Sequence, residues 1–392
     1  MEIGLLSWAY PPEKSGLSRA AREIAQSLAA AGHSVRVLTL DRTERTWDDA
    51  VEVIGCAPRP GSRLDRMRGI PGLGHLGGPL AFQRAARAEH RLRPFDVIEA
   101  TNWYAPGLAI ALSGPAPLVT RASTPVATSS RPPASLRDRI DLAVARGAER
   151  LAARRSAGMI SNTAAHGAKI ATLYGVAPPG PAHAVIGLSL PPAIVARGRA
   201  AAYSATATPV ELLFVGRAER RKGYDALFAA LPMLAAEADA GTLPNFRLTM
   251  IGLAEREVDA LPHAAAARLR LFHRVEEAAL HDHLAAAHIV VAPSRYESFG
   301  LVYQEAMMFG RPILACAEDP SARLFVGETG SGLLASRCDG PAIAATLRRM
   351  IADPTLRGQL HRASRAAAGR FTRETLAQET LAAYRAAIGR PS

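Results

Sequence analysis

At 392 residues the chain exceeds what one ordinary core accommodates, which predicts two domains. Its 48% hydrophobic content points to a soluble globular protein, and no apolar run approaches the roughly 18–20 residues of a membrane span. The formal charge of +12 is almost entirely arginine, since Lys14, Lys169 and Lys222 are the only lysines among 47 basic residues. With 5% aromatics and no recognition motif, nucleic acid is excluded as a partner, whereas acidic ligands and anionic headgroups fit.

In chain order, residues 3–8 read as a buried strand, 18–31 as an amphipathic helix closed by Gly32, and 34–40 as a second strand. The start lacks the basic segment of a signal peptide, and the three cysteines (Cys56, Cys316, Cys338) suit neither a disulfide framework nor a metal site. A reducing, cytoplasmic setting is the expectation. Residues 61–79, rich in Gly, Pro and Arg, are predicted to be a long surface loop. Residues 95–99, 117–121 and 158–161 read as further buried strands. Between the last two, Leu136, Ile140, Val144 and Leu151 form an apolar helical stripe flanked by arginines. The favoured reading is a core-facing helix with a solvated Arg face; peripheral contact with the inner face of a membrane is the second.

Residues 193–209 are Pro/Ala/Gly-rich and are taken as the linker, after which the pattern restarts. Strands are predicted at 211–215, 247–251, 287–292 and 313–315, and helices at 224–238, 301–309 and 373–388. The alternation predicts two α/β, Rossmann-like βαβ domains, 1–198 and 208–371, facing a central cleft, with residues 372–392 packing back on the first.

Glu297 and Glu305 stand out. They fall in residues 293–305, where Pro293-Ser294-Arg295-Tyr296-Glu297-Ser298-Phe299-Gly300-Leu301 joins a buried strand to the helix that carries Glu305. Glu297 then lies in the loop at the strand's carboxyl end, where open parallel sheets bind ligands, and Glu305 about one and a half turns into the helix. Two carboxylates beside a helix N-terminus suit a ligand carrying hydroxyls and phosphate. Gly216-Arg217-Ala218-Glu219-Arg220-Arg221-Lys222-Gly223 follows another strand end, so Arg217 and Lys222 share the same rim and can neutralise a diphosphate.

Gly216-Arg217-x4-Lys222-Gly223 followed by Glu297-x7-Glu305 resembles the GT-B-fold retaining glycosyltransferases of family four (group 1). Tyr10-Pro11-Pro12-Glu13-Lys14-Ser15-Gly16, Phe309-Gly310-Arg311-Pro312-Ile313 and Gly330-Ser331-Gly332-Leu333-Leu334 fit the same pattern in order. The resemblance implies a nucleoside-diphosphate-sugar donor and a hydroxyl acceptor (glycan, lipid-linked or small molecule). It implies no resident metal or other cofactor, and retention by front-face attack without an enzyme nucleophile. It places the diphosphate on Arg217, Lys222 and the amides from Ser298 through Phe299, Gly300 and Leu301. Glu305 would hold the ribose, Glu297 the donor sugar, and Arg274 and Val275 would lie beside the base. Ser15 and Gly16 would approach the diphosphate, with Gly16 leaving room for it.

There are departures. Ser123, in Thr120-Arg121-Ala122-Ser123, stands where the family ordinarily has a histidine that contacts the donor sugar; a serine can hydrogen-bond but carries no charge. The family's usual glycine pair is Ser15-Gly16 here, His273 replaces a more usual glycine, and Gly252-Leu253-Ala254 replaces Gly-x-Gly. A degenerate binding protein and a GT-B nucleotide-sugar epimerase are therefore alternatives. Glu99, Asn102 and Trp103, after a strand, are candidate acceptor contacts. His281-Asp282-His283 is spaced like a metal pair but reads as a surface helix start.

Overall fold

The computed structural model describes residues 1–12, 15–129, 133–257 and 260–389. Glu13 and Lys14 of the N-terminal glycine-loop motif lie outside them. The chain divides into two compact units, residues 1–189 with 371–392, and residues 190–370. The first boundary falls before the expected linker, for a physical reason. Pro192–Ala200 is a helix, started by a proline in its first turn, with Ile194 wholly buried. Its Gly198 packs so closely on the helix Leu301–Met308 that a Cβ there would sit 2.6 Å from Met308 Cγ. The segment predicted as linker thus belongs to the second unit.

In the first unit the strands are β1 (Glu2–Ser7), β2 (Ser34–Thr39), β3 (Arg45–Asp48), β4 (Val51–Gly55), β5 (Val97–Thr101), β6 (Leu118–Ala122), β7 (Gly158–Ser161) and β8 (His183–Val185). They form one sheet ordered β3-β4-β2-β1-β5-β6-β7-β8, parallel except for β3. β1, β2 and β6 are buried almost along their length, as strands covered by helices on both faces must be. The β3–β4 hairpin was not foreseen: Arg45-Thr46-Trp47-Asp48 is an edge strand without an apolar signal.

Residues 61–79 are not a loop. They hold a short helix, Arg63–Arg66, and the start of the helix Gly74–Leu92, which includes Pro79. The glycines that suggested a loop serve close packing instead. A Cβ on Gly78 would lie 2.4 Å from Trp8 Cζ3, and one on Gly77 would lie 3.0 Å from Leu64 O.

The helix Leu136–Arg155 is a second correction. Its buried face is Ala145, Ala148, Glu149, Ala152 and Ala153, and the Leu136/Ile140/Leu151 side is exposed rather than core-facing. The helix Arg373–Ile388 groups with the first unit. There Tyr384 Oη donates to Glu99 Oε2 at 2.9 Å, and Arg121 Nη2 donates to Thr380 Oγ1 at 2.9 Å.

The second unit holds β9 (Val210–Val215), β10 (Phe246–Ile251), β11 (Leu269–Phe272), β12 (Ile289–Val291), β13 (Ile313–Cys316) and β14 (Gly332–Ala335). The sheet is parallel with order β11-β10-β9-β12-β13-β14. Phe214, Leu231, Leu248, Val291, Leu314 and Leu347 are core residues on and beside it. The chain runs outward from β9 through β10 to β11, then returns to the other side of β9 as β12. The strand order therefore reverses between β9 and β12, and a crevice opens beyond their carboxyl ends. The loops leaving those two strands carry Lys222 and Glu297.

Candidate active site

After β9 the chain makes a tight 3-10 turn, Arg220–Lys222, that ends on Gly223 at φ 71°. A Cβ at Gly223 would stand 1.9 Å from Pro293 O, so only glycine lets this turn press against the start of the loop after β12. That contact brings the two loops together. Lys222 Nζ donates to Glu297 Oε1 at 2.6 Å, and Ser294 Oγ donates to the same oxygen at 2.6 Å. Arg221 Nη1 donates to Glu297 Oε2 at 3.2 Å and to Tyr296 O at 3.0 Å, while its Nη2 donates to Glu219 Oε2 at 2.9 Å. The Glu297 backbone is fixed too: its N–H donates to Asp319 Oδ1 at 3.0 Å and its carbonyl accepts from Ser321 Oγ at 3.0 Å.

Electrostatics follow from this geometry. Burial pushes the Glu297 carboxyl up, but Lys222 and Arg221 outweigh it and hold the group below its ordinary value, so it stays ionised. Asp319 carries the converse. Burial, then the neighbouring Glu297 charge, push it up to about 6 although Tyr303 Oη donates to it at 2.8 Å. The site is thus a fixed anion, Glu297, held by two cations and backed by an acid that titrates above the usual carboxylate range.

Both members of the expected rim pair lie on the loop after β9; Lys222 reaches Glu297, whereas the Arg217 side chain is 76% exposed and pairs with Glu219 Oε1 at 2.7 Å. Arg221, missed in the sequence, is the second cation on Glu297. Adjacent arginines look alike in a sequence, and only the 3-10 turn decides which one points inward.

Gly300, at φ 90°, is the N-cap of the helix Leu301–Met308 and has no side chain to cap it. Phe299 is buried against Phe325, with ring centroids 5.1 Å apart. Glu305 is buried on that helix. Gly216 lies at the end of β9, where a Cβ would be 2.9 Å from Phe214 Cζ. Arg274 is exposed and Val275 half-buried after β11. All of these lie at the carboxyl edge of the second sheet.

In the first unit Ser15 is the N-cap of the helix Gly16–Ala30, its hydroxyl accepting from Ser18 N at 3.0 Å. Gly16 is exposed, and a Cβ there would meet no atom within 4 Å. Ser123 is half-buried at the end of β6, its hydroxyl 2.9 Å from that of Thr101. Its Oγ and N–H both donate to Asn102 Oδ1, at 3.0 and 2.6 Å. Asn102 Nδ2 donates to Tyr174 Oη at 2.7 Å, and Tyr174 Oη donates to Glu149 Oε2 at 2.8 Å. Burial pushes Glu149 up to about 7. His166 lies nearby with Nε2 3.2 Å from Ala122 O, but burial lowers it to about 4, so it supplies no positive charge.

Two expected acceptor contacts are committed elsewhere. Glu99 is buried and paired with Arg121 at 2.8 and 3.0 Å, and Asn102 is buried in the network just described. Trp103 stays half-buried, with its carbonyl accepting from Trp8 Nε1 at 2.7 Å. His281 is buried on the helix Glu277–Ala286, near the Phe309 ring, rather than at a surface. Among the described residues no group of three or more His, Cys, Asp or Glu is placed to hold a metal ion.

Comparison with known proteins agrees with this architecture. Residues 201–367 match the family model described as glycosyl transferases group 1, and residues 15–186 match the glycosyl transferase 4-like domain. The chain is 30% identical over 416 residues to a glycogen synthase of Mycobacterium tuberculosis, covering 99% of this chain and 95% of the relative. It is 29% identical to a D-inositol 3-phosphate glycosyltransferase of Kineococcus radiotolerans, covering 93% and 89%. Among solved structures, a sucrose-phosphate synthase of Thermosynechococcus elongatus superposes with TM-score 0.76 at 21% identity, covering 98% of each chain. Anabaena HepE, solved with UDP and glucose, superposes with TM-score 0.65 at 20% identity, covering 97% and 98%. The GT-B fold expected from the sequence is the fold of these structures, and the chain belongs to the group 1 glycosyl transferases, as a glycosyltransferase.

Proposed function

We propose that the chain is a retaining glycosyltransferase that takes a nucleoside-diphosphate sugar and passes the sugar to a hydroxyl acceptor. The observation that carries this reading is the convergence of Lys222 and Arg221 on buried Glu297 at the reversal of strand order, beside the N-terminus of Leu301–Met308. In this reading Lys222 and the exposed Arg217 neutralise the diphosphate, so that negative charge building on the leaving nucleotide is stabilised as the glycosidic bond breaks. The amides from Ser298 to Leu301 would bind the same phosphates. Glu305 would accept from the ribose hydroxyls, with Arg274 and Val275 beside the base. Positive charge on the diphosphate comes from side chains, and no resident metal is assigned.

Glu297 would serve as an anchor more than as a reagent. Both its oxygens already accept from Lys222, Ser294 and Arg221, which makes it a poor nucleophile and a poor proton carrier. The one remaining acceptor site, on Oε2, is left for a donor-sugar hydroxyl. A front-face path needs no enzyme nucleophile, which fits a carboxylate so held. On the first unit, Ser15 and Gly16 and the Ser123 hydroxyl are the proposed ligand-facing groups. The named relatives suggest acceptors to try first: a glucan and D-inositol 3-phosphate.

The test is nucleotide release from UDP-, ADP- and GDP-sugars with and without these acceptors, with the product anomer read by NMR. Release with one donor, an anomer matching that donor, and a fall of about 10²–10³ in turnover for Lys222→Ala support the reading. An inverted anomer, or unchanged turnover in Lys222→Ala, contradicts it. Binding without turnover would favour the degenerate alternative raised by Ser123, and an epimerised donor without acceptor would favour the epimerase.

A further inference from the structure

Leu136–Arg155 is built the wrong way round for a helix that only covers a sheet. Its buried residues are mostly alanines, Ala145, Ala148, Ala152 and Ala153. Its large apolar side chains face away: Leu136 is 73% exposed, Ile140 40% and Leu151 39%. At 3.6 residues per turn these three and half-buried Val144 span about 80° of arc, opposite the alanines. Arg139, Arg146 and Arg150, all exposed, run along one flank of the stripe.

The stripe does not stand alone. Gly72 N donates to Asp141 Oδ1 at 2.5 Å, and a Cβ on Gly72 would sit 3.1 Å from Val144 Cγ2 and 3.4 Å from Ile140 Cγ2. The segment pinned there presents Ile70, 47% exposed, and Leu73, 45% exposed. Single exposed apolar residues are ordinary, but Leu136, Ile140 and Leu151 on one helix face beside an arginine row, with Ile70 and Leu73 on the segment packed against that face, are not.

We propose that this face of the first unit is a docking surface for an anionic lipid bilayer. An interfacial helix seats its apolar stripe among the acyl chains while flanking cations meet the headgroups. Leucine and isoleucine bordered by arginine supply both halves. A second copy of the chain is a poorer occupant than an anionic surface, because pairing the two faces would bring two arginine rows into one apolar interface. No helix of the described residues is long and apolar enough to cross a membrane, so the contact is peripheral.

The test is co-sedimentation with vesicles of phosphatidylcholine, with and without phosphatidylglycerol. Because a chain of charge +12 attracts anionic surfaces generally, two kinds of variant are needed. L136Q/I140Q keeps the charge and removes the apolar stripe; R139Q/R146Q/R150Q removes the arginine row. A control, R256Q/R270Q/R362Q, removes the same charge from exposed positions of the second unit. Thermal melting confirms that each variant is folded. The proposal expects wild-type binding only to vesicles with phosphatidylglycerol, lowered about tenfold or more in both patch variants and within about twofold in the control. It is overturned if wild type does not sediment, if L136Q/I140Q binds like wild type, or if the control loses as much as the arginine-row variant. A dimer in sedimentation velocity that L136Q/I140Q dissolves, without vesicle binding, would overturn it in favour of a second copy.

Discussion

At Glu297, removing Arg221 leaves Lys222 to balance the charge but takes away the donor on buried Oε2 and on Tyr296 O, and an unsatisfied buried acceptor ordinarily costs about 1–3 kcal/mol. Arg221→Ala is therefore expected to lower the urea midpoint of the second unit sharply. Arg217→Ala, at an exposed side chain, should change stability by less than about 0.5 kcal/mol while weakening donor binding. The reverse order of stabilities would refute the placement of these two arginines. Glu149 allows a second prediction. Its folded-state value, about 7, lies above the ordinary 4.5, so the native chain binds more protons than the unfolded chain between those values. Stability should fall as pH rises from about 4.5 to about 7, and Glu149→Gln should flatten that slope in pH-dependent melts. An unchanged slope would show that burial does not govern this group.

Among elements, the glycine turn that joins the two site loops is the sharpest case. Gly223 and Gly241 share nearly the same φ, 71° and 72°, but a Cβ at Gly241 would meet nothing within 4 Å. Gly241→Ala should carry only the left-handed backbone term, about 1–2 kcal/mol. Gly223→Ala adds a collision with Pro293 O and should be markedly worse by denaturant titration; equal losses would mean that the loop contact is dispensable. The elements themselves were readable where they are apolar. The strands after Gly32 and before Glu297, and the helices at Tyr224–Asp239 and Arg373–Ile388, stand where periodicity places them. Misreadings came where one residue type serves two purposes. Gly77, Gly78 and Pro79 look like a loop but are packed inside a helix, and the stripe from Leu136 looks like a core face but is exposed. The site was legible as motifs, Lys222 with Glu297 and Glu305. Arg221 and Asp319 carry no such signal, because their roles depend on which way short loops turn.

For the whole molecule, the first unit is discontinuous, and its last helix is held by buried charge. Arg373 forks onto Glu23 at 2.8 and 2.7 Å, and Tyr384 joins the Glu99–Arg121 pair in the core. Deleting residues 371–392 should leave the first unit unfolded or aggregating. The milder Tyr384→Phe should destabilise it by about 1–3 kcal/mol, because a buried carboxylate loses a donor. A truncated chain that melts like the full one would contradict this assignment. Relatives that match nearly the whole chain carry names that point to different acceptors, so the acceptor must be read from loops and not from the fold.

In the proposed function, the rim between β9 and β12 binds a nucleoside diphosphate through Lys222 and Arg217, with Glu297 as anchor. The direct measurement is calorimetric titration of UDP, ADP and GDP into wild type, Lys222→Ala and Arg217→Ala. One diphosphate should bind wild type, raising stability by about 2.7 kcal/mol at a hundredfold excess over its Kd, and its affinity should fall about tenfold or more in each variant. No binding by any of the three, or equal affinity in Lys222→Ala, would contradict it.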